Sequence, residues 1–178
     1  AVTIFGSHIT SPVQVDRTTY TIRNLGAPTT NLGMELLATF RRPPVALTSS
    51  YTYVRAREQV GTVTTDVALT PRHSAGWVAM VENDDGRLGL ELYYTGRQRL
   101  EANPYRDTSR PYFVVGVLVE RRVGPIRLFL NGENLTDVRQ SRWSPLLLPT
   151  RSIEGRWTVD AWAPVDGRIF NGGVRIQF

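Results

Sequence analysis

The chain has 178 residues, 41% of them hydrophobic and 21% charged, with a formal charge of +5 and arginine as its only strongly basic residue type. It contains no cysteine, which removes disulfide frameworks, zinc–thiolate clusters and thiol nucleophiles. His8 and His73 stand apart, leaving little for metal or triad chemistry. The arginines are scattered and form no stripe, which argues against a nucleic-acid partner.

From its first residues the chain reads as extended. Ala1-Val2-Thr3-Ile4-Phe5 looks like the middle of a strand, with no charged-then-apolar leader before it, and suggests a piece of something longer. Strands are expected at about residues 1–10, 19–42 (bulged near Gly26-Ala27-Pro28), 45–60, 72–83, 86–100, 109–123, 126–137 and 167–178. Compact turns mark Arg42-Pro43-Pro44, Asn83-Asp84-Asp85-Gly86 and Gly124-Pro125, where Pro presets φ and Gly or Asn accepts a positive one. Long polar stretches run from Thr10 to Thr18, Gly61 to Pro71, Glu101 to Thr108 and Val138 to Asp166. The longest apolar run, Phe113 to Val119, is far short of the roughly 20 residues of a membrane helix.

Within these intervals side chains alternate with period two, and no helical period is sustained. Leu32, Met34, Leu36, Ala38 and Phe40 oppose Asn31, Glu35, Thr39 and Arg41. Leu88, Leu90, Leu92 and Tyr94 oppose Arg87, Glu91, Tyr93 and Arg97. Ile126, Leu128 and Leu130 oppose Arg127, Asn131 and Glu133. At the carboxyl end Phe170, Val174, Ile176 and Phe178 oppose Asn171, Arg175 and Gln177, whereas Tyr112 to Val119 is apolar on both faces. The expected fold is all-β, an antiparallel up-and-down meander of about eight strands. A soluble sandwich also alternates. Three features favour a transmembrane barrel: strands of about ten residues, tight turns at one end with long loops at the other, and aromatic residues (Trp77, Tyr93, Tyr94, Tyr112, Phe113) near strand ends. In such barrels short turns are periplasmic, so the four polar stretches should face outside.

Two segments carry a more specific resemblance. Phe129 to Val138 reads Phe-Leu-Asn-Gly-Glu-Asn-Leu-Thr-Asp-Val, and the chain closes with Gly-Arg-Ile-Phe-Asn-Gly-Gly-Val-Arg-Ile-Gln-Phe. Together they resemble the carboxyl-terminal signature of TonB-dependent outer-membrane receptors. Gly33-Met34-Glu35 and Thr70-Pro71-Arg72-His73 resemble further family pieces in the same order, so the likeness spans residues 1–178. The resemblance implies the last third of a barrel of about 22 strands that imports a scarce nutrient, often an iron chelate. It also implies a bacterial outer-membrane location in contact with lipid. Its partners would be a plug and earlier strands lying outside this chain, TonB acting through that plug, and barrel-assembly machinery. Phe178 resembles the terminal residue that such machinery reads. A small complete eight-stranded barrel with a structural or adhesive role is the alternative, and eight strands suffice to close one.

No cofactor site or enzymatic constellation is evident. Asp84 and Asp85 occupy a turn that favours Asp for backbone reasons, and no nucleophile elbow joins Ser, His and Asp. The candidate ligand site is the stretch from Val138 to Asp166, which holds Arg142, Trp143, Arg151, Arg156, Trp157 and Trp162. Outward Trp and Arg side chains can grip an anionic or aromatic ligand through charge, stacking and cation–π contacts. The same residues can instead fold the loop onto itself or onto the barrel rim. Glu35, Glu91, Glu133, Arg41, Arg87, Arg97, Arg127 and Arg175 should face the lumen, to pair with one another or to contact a plug; pairing is favoured because unpaired charges in a confined interior are costly.

Overall fold

The computed structural model describes residues 1–16, 19–60 and 62–176. Among these residues eleven strands follow in chain order: β1 (Val2–Ile9), β2 (Val13–Asp16), β3 (Thr21–Asn24), β4 (Thr29–Arg42), β5 (Val45–Val60), β6 (Val63–Asp66), β7 (His73–Asn83), β8 (Gly86–Thr95), β9 (Tyr112–Val123), β10 (Ile126–Glu133) and β11 (Ile169–Ile176). No helix among these residues is long and apolar enough to cross a membrane, which has no bearing on crossing by strands. Eight strands form one antiparallel meander in the order β1-β4-β5-β7-β8-β9-β10-β11. Three connections on this path are tight turns, at Pro43-Pro44, Asp84-Asp85 and Gly124-Pro125, and all lie at one end of the sheet. The other four connections are long and lie at the opposite end.

Two expectations need correction. Residues 19–42 do not form one bulged strand. Leu25–Pro28 interrupts the chain completely, and β3 turns back to pair with β2 as a separate two-stranded hairpin. The long stretches are also less bare than their polarity suggests, because β2 lies in the first and β6, paired with the upper half of β5, in the second. The terminal Gln177 and Phe178 lie outside the described residues.

The register sorts every side chain onto one of two faces. One row across the sheet runs Val2, Leu36, Tyr51, Ala75, Tyr94 and Phe113. A lower row runs Leu47, Ala79, Leu90, Val117, Gly132 and Phe170. This face is apolar and open. Leu90 is 47% exposed, Leu128 45% and Ile176 52%, so these residues are not sealed in a core between two sheets. Among the nominated aromatic residues, Trp77, Tyr94 and Phe113 take this face and Tyr93 and Tyr112 the other.

The opposite face is mostly polar. Arg87 lies 3.6 Å from Glu120 and 3.8 Å from Glu82, and Arg127 lies 2.6 Å from Glu120. Arg87 and Arg127 thus pair with carboxylates outside the expected set, Glu82 and Glu120, the latter on the strand whose pattern was least clear. Glu91 accepts a bond from the Tyr93 hydroxyl at 3.4 Å, and Glu133 accepts one from the Asn131 amide at 2.8 Å. A shallow groove of about 290 Å³ runs here between Glu91, Tyr93, Gly116, Asn131 and Glu133. The double apolarity of β9 has a local cause: its upper inward residues, Tyr112 and Val114, pack under the loops.

The sheet is open. Among the described residues β1 pairs with β4 alone and β11 with β10 alone, and β1 and β11 do not meet. Pairing of the two ends, which a complete eight-stranded barrel requires, is therefore not seen.

Backbone crowding at the turn end makes one glycine indispensable. A Cβ on Gly86 would stand 2.2 Å from the Glu120 carbonyl oxygen, whereas one on Gly89 would find only Leu118 Cβ, at 3.5 Å. Gly86→Val should therefore lower stability by about 1–3 kcal/mol, as overpacking does. Gly89→Ala should shift it by less than about 0.5 kcal/mol, the usual range where no such feature is disturbed. Denaturant unfolding of the two variants side by side measures the difference.

Candidate functional site

Above the sheet, the connections 96–111 and 134–168 fold against each other. Leu100, Val138, Trp162 and Ala163 form a small buried cluster, with Tyr112, Val114 and Trp143 packed around it. Trp143 stacks on Trp162 with ring centroids 5.6 Å apart and planes 14° from parallel. The Arg106 guanidinium lies 5.4 Å from the Trp162 ring and donates a 2.6 Å bond to the Trp143 carbonyl.

Buried amides hold this arrangement. Gln140 is fully buried in a single 3-10 turn, Gln140–Arg142. Its Oε1 accepts bonds from the Trp162 N–H at 2.8 Å and the Ala163 N–H at 3.4 Å, while its Nε2 donates to the Asp160 carbonyl at 3.1 Å. Gln98 Nε2 donates to the Trp162 carbonyl at 2.9 Å. Two glutamines thereby anchor the backbone around the tryptophan.

The Asn134-Leu135-Thr136-Asp137 segment ties the base of this loop to the sheet. Asn134 and Asp137 both adopt positive φ, 49° and 54°, which Asn and Asp tolerate better than most residues. Asn134 Nδ2 donates to the Val138 carbonyl at 2.9 Å and the Asp166 carbonyl at 3.1 Å. Thr136 Oγ1 donates to the Phe113 carbonyl at 2.8 Å. Asp137 pairs with Arg139 at 3.1 Å and with Arg142, and its other oxygen accepts the Arg168 N–H at 3.3 Å. A Cβ on Gly167 would stand 2.5 Å from Asp137 Oδ1, so this contact depends on glycine. Burial alone would raise the Asp137 carboxyl, but Arg139, Arg142 and Arg168 hold it below the ordinary carboxylate range.

The six candidate ligand residues fall into separate surroundings. Trp162 is buried and Trp143 half-buried, both in the loop core. Arg142 is bound to Asp137, and Arg156 bridges Glu154 at 2.8 Å and Asp160 at 2.9 Å. Arg151 and Trp157 lie on a finger of chain closed by the Leu147–Thr158 bridge, with the Arg151 guanidinium 5.3 Å from the Trp157 ring. Trp157 is 58% exposed, and Ile153 near the tip is 88% exposed. A groove of about 500 Å³ separates this finger from the neighbouring loop, lined by residues that include Leu100, Asn103, Pro104, Leu148 and Ser152. A second, of about 450 Å³, is lined by Asp66, Arg72, Arg97, Arg99 and Asp107, with Arg99 bound to Glu58 at 2.5 Å and Arg72 to Asp66 at 2.7 Å. Gln98, Gln140 and Arg106 escaped the sequence reading, because nothing in their local pattern separates a buried amide or a ring-capping arginine from a solvated one.

Because Asp137 carries a lowered pKa, the native loop binds fewer protons than the unfolded chain over the interval between its folded and unfolded values. Its stabilisation is complete above the unfolded carboxylate value and is lost as pH falls through the folded one. Fluorescence of the stacked Trp143–Trp162 pair should hold steady above about pH 5 and change on acidification below about pH 4. Asp137→Asn should flatten that transition. Gln140→Ala should loosen the loop by about 1–3 kcal/mol at any pH, since it leaves buried N–H and C=O groups unpaired. Hydrogen exchange of the Trp162 and Ala163 amides reads that loss.

No protein-family model matches the sequence, and the comparison with curated proteins found no match. Among solved structures, the chain is similar to the crystal structure of the ferric-catecholate import receptor Fiu from E. coli K12 in its closed form. The TM-score is 0.69 at 16% identity, and the match covers 99% of this chain and 25% of the receptor. At that identity the likeness is one of fold. The chain spans about a quarter of the length of the receptor it resembles, and over that span it has the fold of a receptor-like β-barrel wall.

Proposed function

We propose that residues 1–178 form a carboxyl-terminal wall segment of a TonB-dependent outer-membrane receptor that imports a nutrient such as an iron chelate. The observation that carries this reading is a single-layer sheet with one apolar face open to its surroundings and one polar face, both edges free. Lipid tolerates such a face, and backbone groups at membrane depth must find partners in neighbouring strands. The free edges of β1 and β11 thus call for further strands, and the polar face for a plug, supplied by other parts of the receptor. TonB acts through that plug, and the terminal Phe178 serves barrel assembly. The fold likeness to part of an import receptor supports the same reading and supplies no enzymatic alternative.

The loop assembly forms part of the outer vestibule. Within the candidate set, Trp143, Trp162, Arg142 and Arg156 hold the loop in shape, and Arg151 with Trp157 presents charge and ring to an anionic, aromatic chelate. Replacing both with Ala should weaken binding of a ferric tris-catechol complex by about tenfold, in line with loss of a cation–π and stacking contact. Trp143–Trp162 fluorescence should stay unchanged. Titration of the assembled receptor against that complex checks this.

The wall assignment is tested by position. In lipid vesicles Leu90→Arg should cost about 2–4 kcal/mol, whereas Thr48→Arg on the polar face should cost little. A chain that stays monomeric in the aqueous phase without detergent overturns the proposal. So does a spontaneous intramolecular disulfide between Ile4→Cys and Val174→Cys, which would mark a closed eight-stranded barrel.

A further inference from the structure

The apolar face ends differently at its two margins. On the turn side, Arg42 and Arg121 stand singly on separate strands. On the loop side, two arginines follow each other on one strand. Register places Arg55 opposite Leu32 and Arg57 opposite Thr30, on the face that carries Met34, Leu36 and Tyr51. His8 joins the same row as Thr30 and Arg57. Residues two apart on a strand share a face roughly 7 Å from each other.

Just below this pair lies an aromatic cluster. The Tyr51 hydroxyl and His73 Nδ1 are 2.7 Å apart, and the Tyr53 and His73 rings lie 5.3 Å centroid to centroid. Below the cluster come exposed Phe40 and Leu47, which register sets opposite each other, at 53% and 44%. Apolar band, aromatic shelf and paired guanidinium groups therefore succeed one another up the same surface.

Among the described residues the charge there is left in excess. Asp66 is the acidic residue that register brings beside Arg57, and both its oxygens bond Arg72, at 2.7 and 3.1 Å. Glu58 points to the other face and binds Arg99. No ion pair or hydrogen bond of the Arg55 or Arg57 side chain occurs among the described residues. Arg55 is exposed and Arg57 half-buried.

We propose that Arg55 and Arg57, above the Tyr51–His73–Tyr53 shelf, bind the phosphorylated headgroup of an outer-leaflet membrane lipid. Guanidinium groups take phosphate oxygens in a bidentate fork. Acyl chains lying along Phe40 and Leu47 hold the phosphate at the height of the two arginines, an advantage that a free anion lacks. The inference rests on the wall assignment above, which puts this face in lipid with the loops outside.

The test reconstitutes the chain into discs of equimolar phosphatidylglycerol and phosphatidylcholine and reads the lipids it retains by native mass spectrometry. Retained lipid should be enriched in phosphatidylglycerol on the order of tenfold, as two basic contacts to an anionic headgroup give. Arg55→Gln with Arg57→Gln should abolish the enrichment. Arg55→Lys with Arg57→Lys should keep most of it, and Arg42→Gln with Arg121→Gln should leave it unchanged. Inorganic phosphate should displace no more lipid than sodium chloride of equal ionic strength. An inserted chain without enrichment, an equal loss in the Arg42/Arg121 variant, or displacement specific to free phosphate each overturns the site alone. A chain that never enters the bilayer overturns the wall assignment beneath it.

Discussion

Lateral pairing of backbone groups is the constraint on which everything else in this molecule depends. A single-layer sheet has no second layer to hide its amides, so each strand must satisfy its neighbour along its whole length. That demand fixes register, and register in turn fixes which side chains share a face. Once Leu90 is set opposite Val117 and Ala79, the whole lower row of apolar residues follows. The same geometry delivers Glu120 to Arg87 and Arg127 on the reverse side.

The stability of this sheet has two sources that barely overlap. Along the strands it comes from hydrogen-bonded ladders and from the surroundings of the apolar face. At the loop end it comes from a miniature water-excluding core, built on two tryptophans and buried amides. The second resembles an ordinary soluble protein in its chemistry. Its polar anchors are strict because each buried amide must find its partners.

How much was legible in the residues depended on whether a signal was periodic. Alternation at Leu32–Phe40, Leu88–Tyr94 and Ile126–Leu130 named the faces correctly, because period two is a direct image of the pleat. The turns were equally clear, since Pro, Gly and Asn write their φ preferences into the chain. Short strands β2 and β6 were hidden by their length, four residues each in polar surroundings. The interruption at Leu25–Pro28 looked like a bulge because hydrophobic alternation resumes on either side. In the loop, Trp143 and Trp157 are indistinguishable by type, yet one stacks in the core and the other is largely bare. That difference is decided by partners more than fifteen residues away, such as Trp162 and Tyr112.

The tie formed by Asn134, Thr136 and Asp137 has a consequence for how the loop assembly can vary. It fastens 134–138 to 166–168 beneath the loop, so the last hairpin is effectively closed by a handful of residues whatever lies above. Lengthening or shortening the finger at 147–158 changes only a loop already shut at its base, at an entropic cost that grows slowly with length. Selection is thereby free to reshape the loop surface while the sheet below goes on folding the same way.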